Sequence, residues 1–487
     1  MLVSELVSTK NLLAEKEIRL SKLEFELAQL KRMIFGAKSE RFVPTAHPSQ
    51  LNLLEEPVIA SQEEDVIIVD KHERKKKKEK HPVRQVIPAH LPRRVVMLYP
   101  EGYDENSTAP IIGNEITEVL EEVPGKFEVI QYVRPKFAKE NNEGVAIAEL
   151  PYRPINKGLF GVLLLTRILV EKYCDHLPLY RQLERMKRAG IKIAYSTLAD
   201  VPAQLAEVLE PLYNELIKQT LSSNYIGVDE TPHPVLDKDV KQKTHRGYFW
   251  VYQSVEQRLV LFDYKPGRGK NGPAEFLKNF KGFLQTDGYQ VYEEYGKRDD
   301  ITLVGCMAHA RRYFEKALDS HRDKAQYVIE LLQKVYAVER RIKDENLNNE
   351  SVLELRKTTA APLLAELKTW LDEHLYTITP QSPLGKAIGY THARWENLTQ
   401  YLNHACLQID NNLVENAIRP TVLGRKNFLF SGSHEAAQRS AMFYSFIGSC
   451  KMNNVNPEEW LADILSKPIS TKDPNLHLLL PNNWQKK

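Results

Sequence analysis

A chain of 487 residues is longer than one ordinary core requires, so roughly two to four domains are expected. With 42% hydrophobic residues it can form packed globular domains, and its apolar stretch at 159–170 is too short and too interrupted (Thr166, Arg167) to span a membrane. A net charge of +3 does not by itself announce a nucleic-acid binder, and the N-terminus lacks a secretory pattern. The four cysteines (Cys174, Cys306, Cys406, Cys450) stand apart without a CxxC pair. A cytoplasmic protein with free thiols and no cysteine-built zinc site is therefore expected.

In chain order, Leu6, Leu13, Leu20, Leu27 and Ile34 recur every seven residues, with Leu23 and Leu30 in the alternate position. These heptads predict a leucine-zipper-like coiled coil over 1–42, and with it a homodimer or larger assembly. The other reading is a single amphipathic helix lying on the body of the protein, which polar Lys10 and Glu17 favour. Residues 43–92 read as a proline-rich linker carrying the run KHERKKKKEK at 71–80. That run is either a solvated linker or a basic arm that holds phosphates loosely. Residues 93–156 contain VVMLYP, FEVIQYVRPKF and VAIAELP, which suggest a small β module. Residues 157–220 read as helical. One helix covers 159–173, Pro178 opens a second that Gly190 ends, and Ser196 caps a third in which Pro202 starts a new segment or kinks it. Helix, glycine turn and helix, with Arg181, Arg185, Lys187, Arg188 and Lys192 nearby, resemble a DNA-binding helix-turn-helix. An ordinary helical hairpin with a wet basic face gives the same pattern.

Residues 221–320 change character. NYIGVDE, YFWVYQSV and RLVLFDY predict a three-stranded meander, PAEFLKNF a helix, and GFLQTDGY and ITLVGCMAH two buried strands. Residues 321–405 read as a helical insertion anchored by Trp370 and Trp395. Residues 406–435 return to the core, and 436–487 form C-terminal helices on either side of Asn453–Pro457. The order βββαβαβ, a long helical stretch and then a helix predicts a multidomain α/β protein with a ribonuclease H-like core.

Asp229 ends the strand-like run YIGVD, and Asp287 follows FLQT and precedes Gly288. An acid leaving a buried strand is costly unless it is solvated or bound to something. Each alone reads as a strand-end turn former, but two on strands placed to be neighbours suit metal-assisted chemistry. Two divalent ions roughly 3.5–4 Å apart activate an attacking hydroxyl and stabilise a leaving 3′ oxygen. Mg²⁺ (or Mn²⁺) prefers hard oxygen ligands of this kind. Glu415, in IDNNLVENAIRP, is the third candidate. It could instead complete a capping box with Asn412 or pair with Arg419 one turn on. Asp410 is a rival to it, and Glu230 is a rival to Asp229, although neighbours on a strand point to opposite faces. His309, Arg311 and Arg312 follow a buried strand and read as phosphate or transition-state contacts, or as solvated groups at a helix start. Arg425 and Lys426 follow Gly424 in an expected loop that suits DNA backbone contact. Trp395 reads as a core anchor rather than a base-stacking wedge.

The stretches VDETP (228–232), TDGY (286–289), CMAHARRYF (306–314) and IDNNLVENAIRPTVLGRKNFLFSGS (409–433) occur in this order. Upstream stand LEFELAQLKRMIFGAKSERF (23–42) and KYCDHLPLYRQLERMKRAGIKIAYSTL (172–198). On these motifs the chain resembles, over nearly its whole length, the insertion sequence 66 family of bacterial transposases. The resemblance implies a ribonuclease H-like catalytic domain, with Asp229, Asp287 and Glu415 as catalytic residues and metal ligands for two ions. It also implies double-stranded DNA partners, namely the inverted repeats at an element's ends and a target. Accessory proteins of the same element are a further class of partner, a membrane is not, and the expected place is the bacterial cytoplasm at the nucleoid. The chain departs from the family twice. The stretch 99–113, where the family carries a cysteine-pair zinc finger, has no cysteine, so no zinc is expected. Asn416 stands where the family places Arg after the catalytic Glu, which bears on a phosphate contact and on activity rather than on the fold. Two other functions fit parts of the pattern. One is a catalytically inactive DNA-binding regulator derived from a transposase. The other is a nuclease for RNA–DNA hybrids, which would need neither the zipper nor the helix-turn-helix.

Overall fold

The computed structural model describes residues 87–486, apart from 88, 108–110, 124–125, 139–144 and 238–243. The heptad run at 1–42 and the basic run at 71–80 lie outside the described residues.

The expected β module is a sheet of β1 (Arg93–Met97), β2 (Ile111–Val123), β3 (Lys126–Ala138) and β4 (Val145–Ile147). Its order is β1-β3-β2, with β4 also paired to β3. Glu121 of β2 is buried and its Oε1 accepts the Leu164 N–H at 2.6 Å, so an acid meets the unpaired donors at the start of the next helix.

Three helices follow: α1 (Val162–Tyr173), α2 (Leu179–Arg188) and α3 (Tyr195–Leu221). The turn after α2 uses Gly190 at φ +79°, as the helix–glycine pattern predicts. The outcome for α3 differs from expectation in two ways. Ala194 rather than Ser196 stands at its cap, and Pro202 does not start a new segment, since the helix runs 27 residues with Pro202 and Pro211 inside it. The lost backbone bonds are outweighed by one fully buried face that includes Leu198, Val201, Leu205, Leu209, Leu212 and Leu216. The exposed face of the first half of α3 carries Asp200, Gln204, Glu207 and Glu210. Basic groups therefore sit on α2 and its turn rather than on the first half of α3, whose Lys218 lies in its last turn.

The central sheet contains β5 (Tyr225–Leu236), β6 (Thr244–Ser254), β7 (Leu259–Lys265), β8 (Gly282–Gln285) and β9 (Ile301–Val304). Its order is β7-β6-β5-β8-β9. The first three strands run antiparallel, as the meander predicts, while β8 runs parallel to β5 and β9 parallel to β8. Helix α4 (Asn271–Leu277) precedes β8, and a 3₁₀ segment, Gln290–Lys297, stands between β8 and β9 where an α-helix is expected. Edge strand β7 is not left open. The N–H groups of Val260 and Phe262 donate to Ser449 Oγ (3.0 Å) and Ser445 Oγ (2.7 Å) of a C-terminal helix. A covered edge neither pairs with other chains nor leaves its donors bare.

The helical stretch after β9 begins before the expected 321, with α5 (Met307–Ala317), and continues as α6 (Arg322–Asp344), α7 (Asn349–Leu355), a π turn at Arg356–Ala360, α8 (Ala361–His374), α9 (Pro383–Ala393) and α10 (Trp395–Thr399). It has its own apolar core around Phe314, Leu332, Leu367 and Ile388, against which Trp370 and Trp395 pack. Arg356 is buried and places all its donors. Two bonds go to Glu339 (2.9 and 2.7 Å), and the rest to the carbonyls of Tyr401, His404 and Leu407 (2.7, 3.0 and 3.0 Å). It thus fastens the segment by which the chain returns to the sheet as α11 (Asn412–Phe428), before α12 (His434–Met452) and α13 (Pro457–Leu465).

Candidate active site

Asp229 does not end its strand as expected but lies within β5, which runs on to Leu236; it stands opposite Val251 of β6, and its Oδ1 accepts the Glu230 N–H at 2.7 Å. Burial, then the carboxylates of Asp287 and Glu230, and less strongly that of Glu415, push its pKa up to about 8. Among the described residues no basic side chain offsets these charges.

Asp287 leaves β8, the parallel neighbour of β5. Gly288 takes φ +86°, a conformation that favours glycine, and the turn is closed by the Tyr289 N–H donating to Asp287 Oδ1 at 2.8 Å. Two residues of the helical stretch after β9 hold this turn. Tyr390 Oη donates to the Asp287 carbonyl at 2.7 Å and Arg394 Nη2 to the Gly288 carbonyl at 2.9 Å. A cavity of about 160 Å³ lies beside it, bordered by Gly288, Tyr289, Tyr292, Arg394 and Asn397.

Glu415 stands in the first turn of α11, and neither expected local partner holds it. Asn411 rather than Asn412 occupies the cap position, without a side-chain capping bond, and the ion pair is with Arg312 rather than Arg419. Arg312 Nη2 donates to Glu415 Oε2 at 2.5 Å, and His309 Nδ1 lies 3.9 Å from Oε1. That Oε1 is buried without a hydrogen-bond partner among the described residues. The helix start is seated by Asn411, whose Nδ2 donates to the Val228 carbonyl at 3.0 Å and whose N–H donates to Cys306 Sγ at 3.2 Å. Gly227 makes this approach feasible, because a Cβ there would sit 2.7 Å from Val414 Cγ2 and 2.9 Å from Asn411 Oδ1.

The rival acids have other partners. Glu230 accepts from Arg268 and, at 3.1 Å, from Tyr292 Oη. Asp410 accepts from Tyr336 Oη at 3.0 Å and from the Asn412 side chain at 2.7 Å. Among the described residues, no three His, Cys, Asp or Glu side chains are gathered closely enough to hold a metal ion as they stand. The donor set nevertheless suits a hard cation. It is all oxygen, one oxygen is buried and unpartnered, and the neighbouring acids raise the proton affinity of Asp229.

The remaining expected contacts are dispersed. Arg312 Nη1 meets His309 Nε2 at 3.1 Å, while Arg311 pairs with Glu315 along α5. Arg425 and Lys426 are in the last turn of α11 rather than in a loop, because Gly424 lets the helix continue flush against Tyr444 and Phe428. Arg425 Nη1 donates to Thr231 Oγ1 of β5 at 3.1 Å, and Lys426 lies at the surface end of this helix. On α2, Arg185 pairs with buried Glu171, Lys187 with Glu184 at 2.6 Å, and Arg181 bonds Tyr180 Oη at 3.1 Å. Arg188 is exposed, and Lys192 follows in the turn after Gly190.

Sequence reasoning missed His233. It stacks on Phe249 at 4.1 Å, bonds Ser431 Oγ at 2.8 Å, and is kept neutral by burial and by Arg425, its pKa pushed down to about 3. The period-two spacing of Asp229, Thr231 and His233 along β5 is the signal that could have found it.

Comparison with known proteins gives consistent results. Residues 157–439 match the family described as "Transposase IS66 family", 22–96 that described as "Transposase C of IS166 homeodomain", and 445–482 that described as "IS66 C-terminal element". Three proteins of Sinorhizobium fredii are similar along their length. The uncharacterized protein y4jD is 31% identical over 489 residues, covering 95% of this chain and 94% of the relative. The uncharacterized protein y4hP is 29% identical, covering 95% and 89%, and the uncharacterized protein y4qI is 29% identical, covering 92% and 86%.

Proposed function

The chain belongs to the IS66 family of transposases, and from that premise we propose that it cuts and joins DNA at the ends of a mobile element, with Asp229, Asp287 and Glu415 as the acids that hold two divalent cations. The observation that carries this reading is the burial of Asp229 among other acids, with no basic side chain among the described residues offsetting them, which lifts its pKa to about 8. The strand order β7-β6-β5-β8-β9, antiparallel and then parallel, supports a ribonuclease H-like core, in which acids on adjacent parallel strands and a returning helix meet over the sheet.

When bound, Mg²⁺ or Mn²⁺ would supply Lewis-acid activation of the attacking hydroxyl and stabilisation of the leaving 3′ oxygen. This chain's own groups do the rest. Asn411 and Gly227 seat Glu415 against β5, and Tyr390 and Arg394 hold the turn that carries Asp287. Arg312 and His309 stand beside Glu415 where a phosphate would come. Arg425 and Lys426, and the basic side of α2 with Arg181, Arg185, Lys187, Arg188 and Lys192, serve as contacts to the duplex backbone. No helix among the described residues is long and apolar enough to cross a membrane. The work of a transposase places the chain at DNA in the cytoplasm, with accessory proteins of the same element as further partners.

A strand-transfer assay tests the reading, with duplexes taken from the DNA flanking this protein's own coding sequence. Mg²⁺- or Mn²⁺-dependent cutting and joining is the expected result. Binding of these ends without cutting or joining under either metal would instead make the chain a regulator without catalysis. The heptads at 1–42 are proposed to drive self-association. Light scattering should give a larger particle for the full chain than for one starting near Phe42, and equal masses would remove the zipper.

A further inference from the structure

The loop KPGRGKNG at 265–272 joins β7 to α4, and residues 266–270 are exposed. Its Arg268 is fixed in place. Nε and Nη2 donate to Glu230 Oε1 at 2.8 and 2.6 Å, and the guanidinium lies 4.1 Å over the Tyr289 ring. Tyr289 Oη in turn donates to the Arg268 carbonyl at 3.3 Å. Glu230 follows Asp229 in sequence, and the Tyr289 N–H bonds Asp287, so this one cation bridges the immediate neighbours of both strand acids. Glu230 is almost fully buried, its side chain 1% exposed, whereas Arg268 is 47% exposed and turns its Nη1 away from the bonds to Glu230. The loop's lysines point their charge elsewhere: Lys265 pairs with Glu275 at 2.8 Å and Lys270 pairs with Glu294.

A purely structural ion pair needs neither an exposed edge nor open flanks. Here both flanks are glycine. A Cβ at Gly269 would meet nothing within 4 Å, and one at Gly267 only the Gly269 nitrogen at 3.9 Å. A large partner can therefore approach the backbone on each side of the guanidinium. Because the side chain is already ordered by Glu230 and Tyr289, little further entropy is lost when its outer edge binds. A planar guanidinium with outward N–H groups matches a phosphate oxygen pair. The need is electrostatic as well, since DNA brought to this cluster of acids meets like charge unless a cation stands at the rim.

We propose that Arg268 is a phosphate-binding residue, and its glycine-flanked loop the rim, for the DNA strand lying across Asp229 and Asp287. This rests on the transposase reading above. It is tested with the full chain and a random-sequence duplex in the absence of divalent metal, measuring affinity against salt. Arg268→Ala should lower the slope of log affinity against log salt by about 1, as for one lost phosphate contact, and weaken binding roughly tenfold. Gly269→Glu sits in open space and should fold normally, yet it should weaken binding comparably by placing an anion at the rim. If the wild type binds in a salt-dependent way and Gly269→Glu binds equally well, or folded Arg268→Ala keeps the wild-type slope, Arg268 is only an ion-pair partner of Glu230. A wild type that binds no duplex at all overturns the transposase reading itself.

Discussion

Replacing Asp229 with Asn is expected to abolish DNA cleavage and, in the absence of divalent metal, to make the protein more stable at alkaline pH. The two effects share one cause. Burial and the neighbouring acids lift the folded-state pKa of Asp229 to about 8, against an unfolded value of about 3.9. Between these values the folded chain keeps a proton that the unfolded chain has released. Stability contributed by this group is therefore full below about pH 4, falls as pH rises, and levels off above about pH 8. The shift corresponds to several kcal/mol at most, on the order of 1.4 kcal/mol per unit. Asn carries no proton and removes the dependence, so the variant's advantage should grow from about pH 5 to about pH 8.5 in urea unfolding. Divalent cations should reverse the trend for the wild type, because only the ionised carboxylate binds them. If the Asp229→Asn variant proved less stable than the wild type at about pH 8.5 without metal, the acid would not be under this electrostatic load.

A methyl group at Gly227 should damage catalysis nearly as much while leaving DNA binding intact. The added Cβ would lie 2.7 Å from Val414 Cγ2 and 2.9 Å from Asn411 Oδ1, both closer than real contacts allow. Val414 and Asn411 are each 2% exposed, and Asn411 is tied to the Val228 carbonyl, so neither can turn aside cheaply. The helix start must shift and carry Glu415 with it. Overpacking of this kind costs about 1–3 kcal/mol of stability. A displacement of about 1 Å at a reacting centre can cost roughly a hundredfold in rate. Single-turnover cleavage by Gly227→Ala should fall by about that factor, with affinity for end DNA changed less than about threefold. Cleavage within about twofold of the wild type would mean that this close packing does not set the position of Glu415.

The parts of the fold that were legible in the sequence are those set by local pattern. The strands β7 to β9 are short apolar runs between turn residues, Gly190 ends α2, and Pro457 opens α13, whereas β5 runs past Asp229 through a polar, proline-containing stretch that does not read as strand. What the sequence did not reveal depends on distant partners. Pro202 looks like a break because the loss of its backbone bond is local, while the buried leucine face that outweighs it becomes visible only once α3 is packed. Arg419 looks like the partner of Glu415 because it is one turn away, yet Arg312, brought in by α5, takes that place. Arg425 reads as a loop residue until Tyr444 explains why a glycine precedes it inside a helix. Gly227, Asn411, Arg394 and Arg268 carry no signature of their own. Each matters through what folding sets against it.

The most direct measurement is cleavage of the flanking-end duplex, with Mg²⁺ or Mn²⁺, by the wild type and four single variants: Asp229→Asn, Asp287→Asn, Glu415→Gln and Asp410→Asn. Acids that act together on shared cations should each be indispensable, so the first three variants should lose cleavage almost completely while still binding the duplex. Asp410→Asn should keep most of its activity, because Asp410 is engaged by Tyr336 and Asn412. Retained cleavage in Glu415→Gln together with its loss in Asp410→Asn would contradict the assignment of the third acid, and cleavage surviving in Asp229→Asn would contradict the account as a whole.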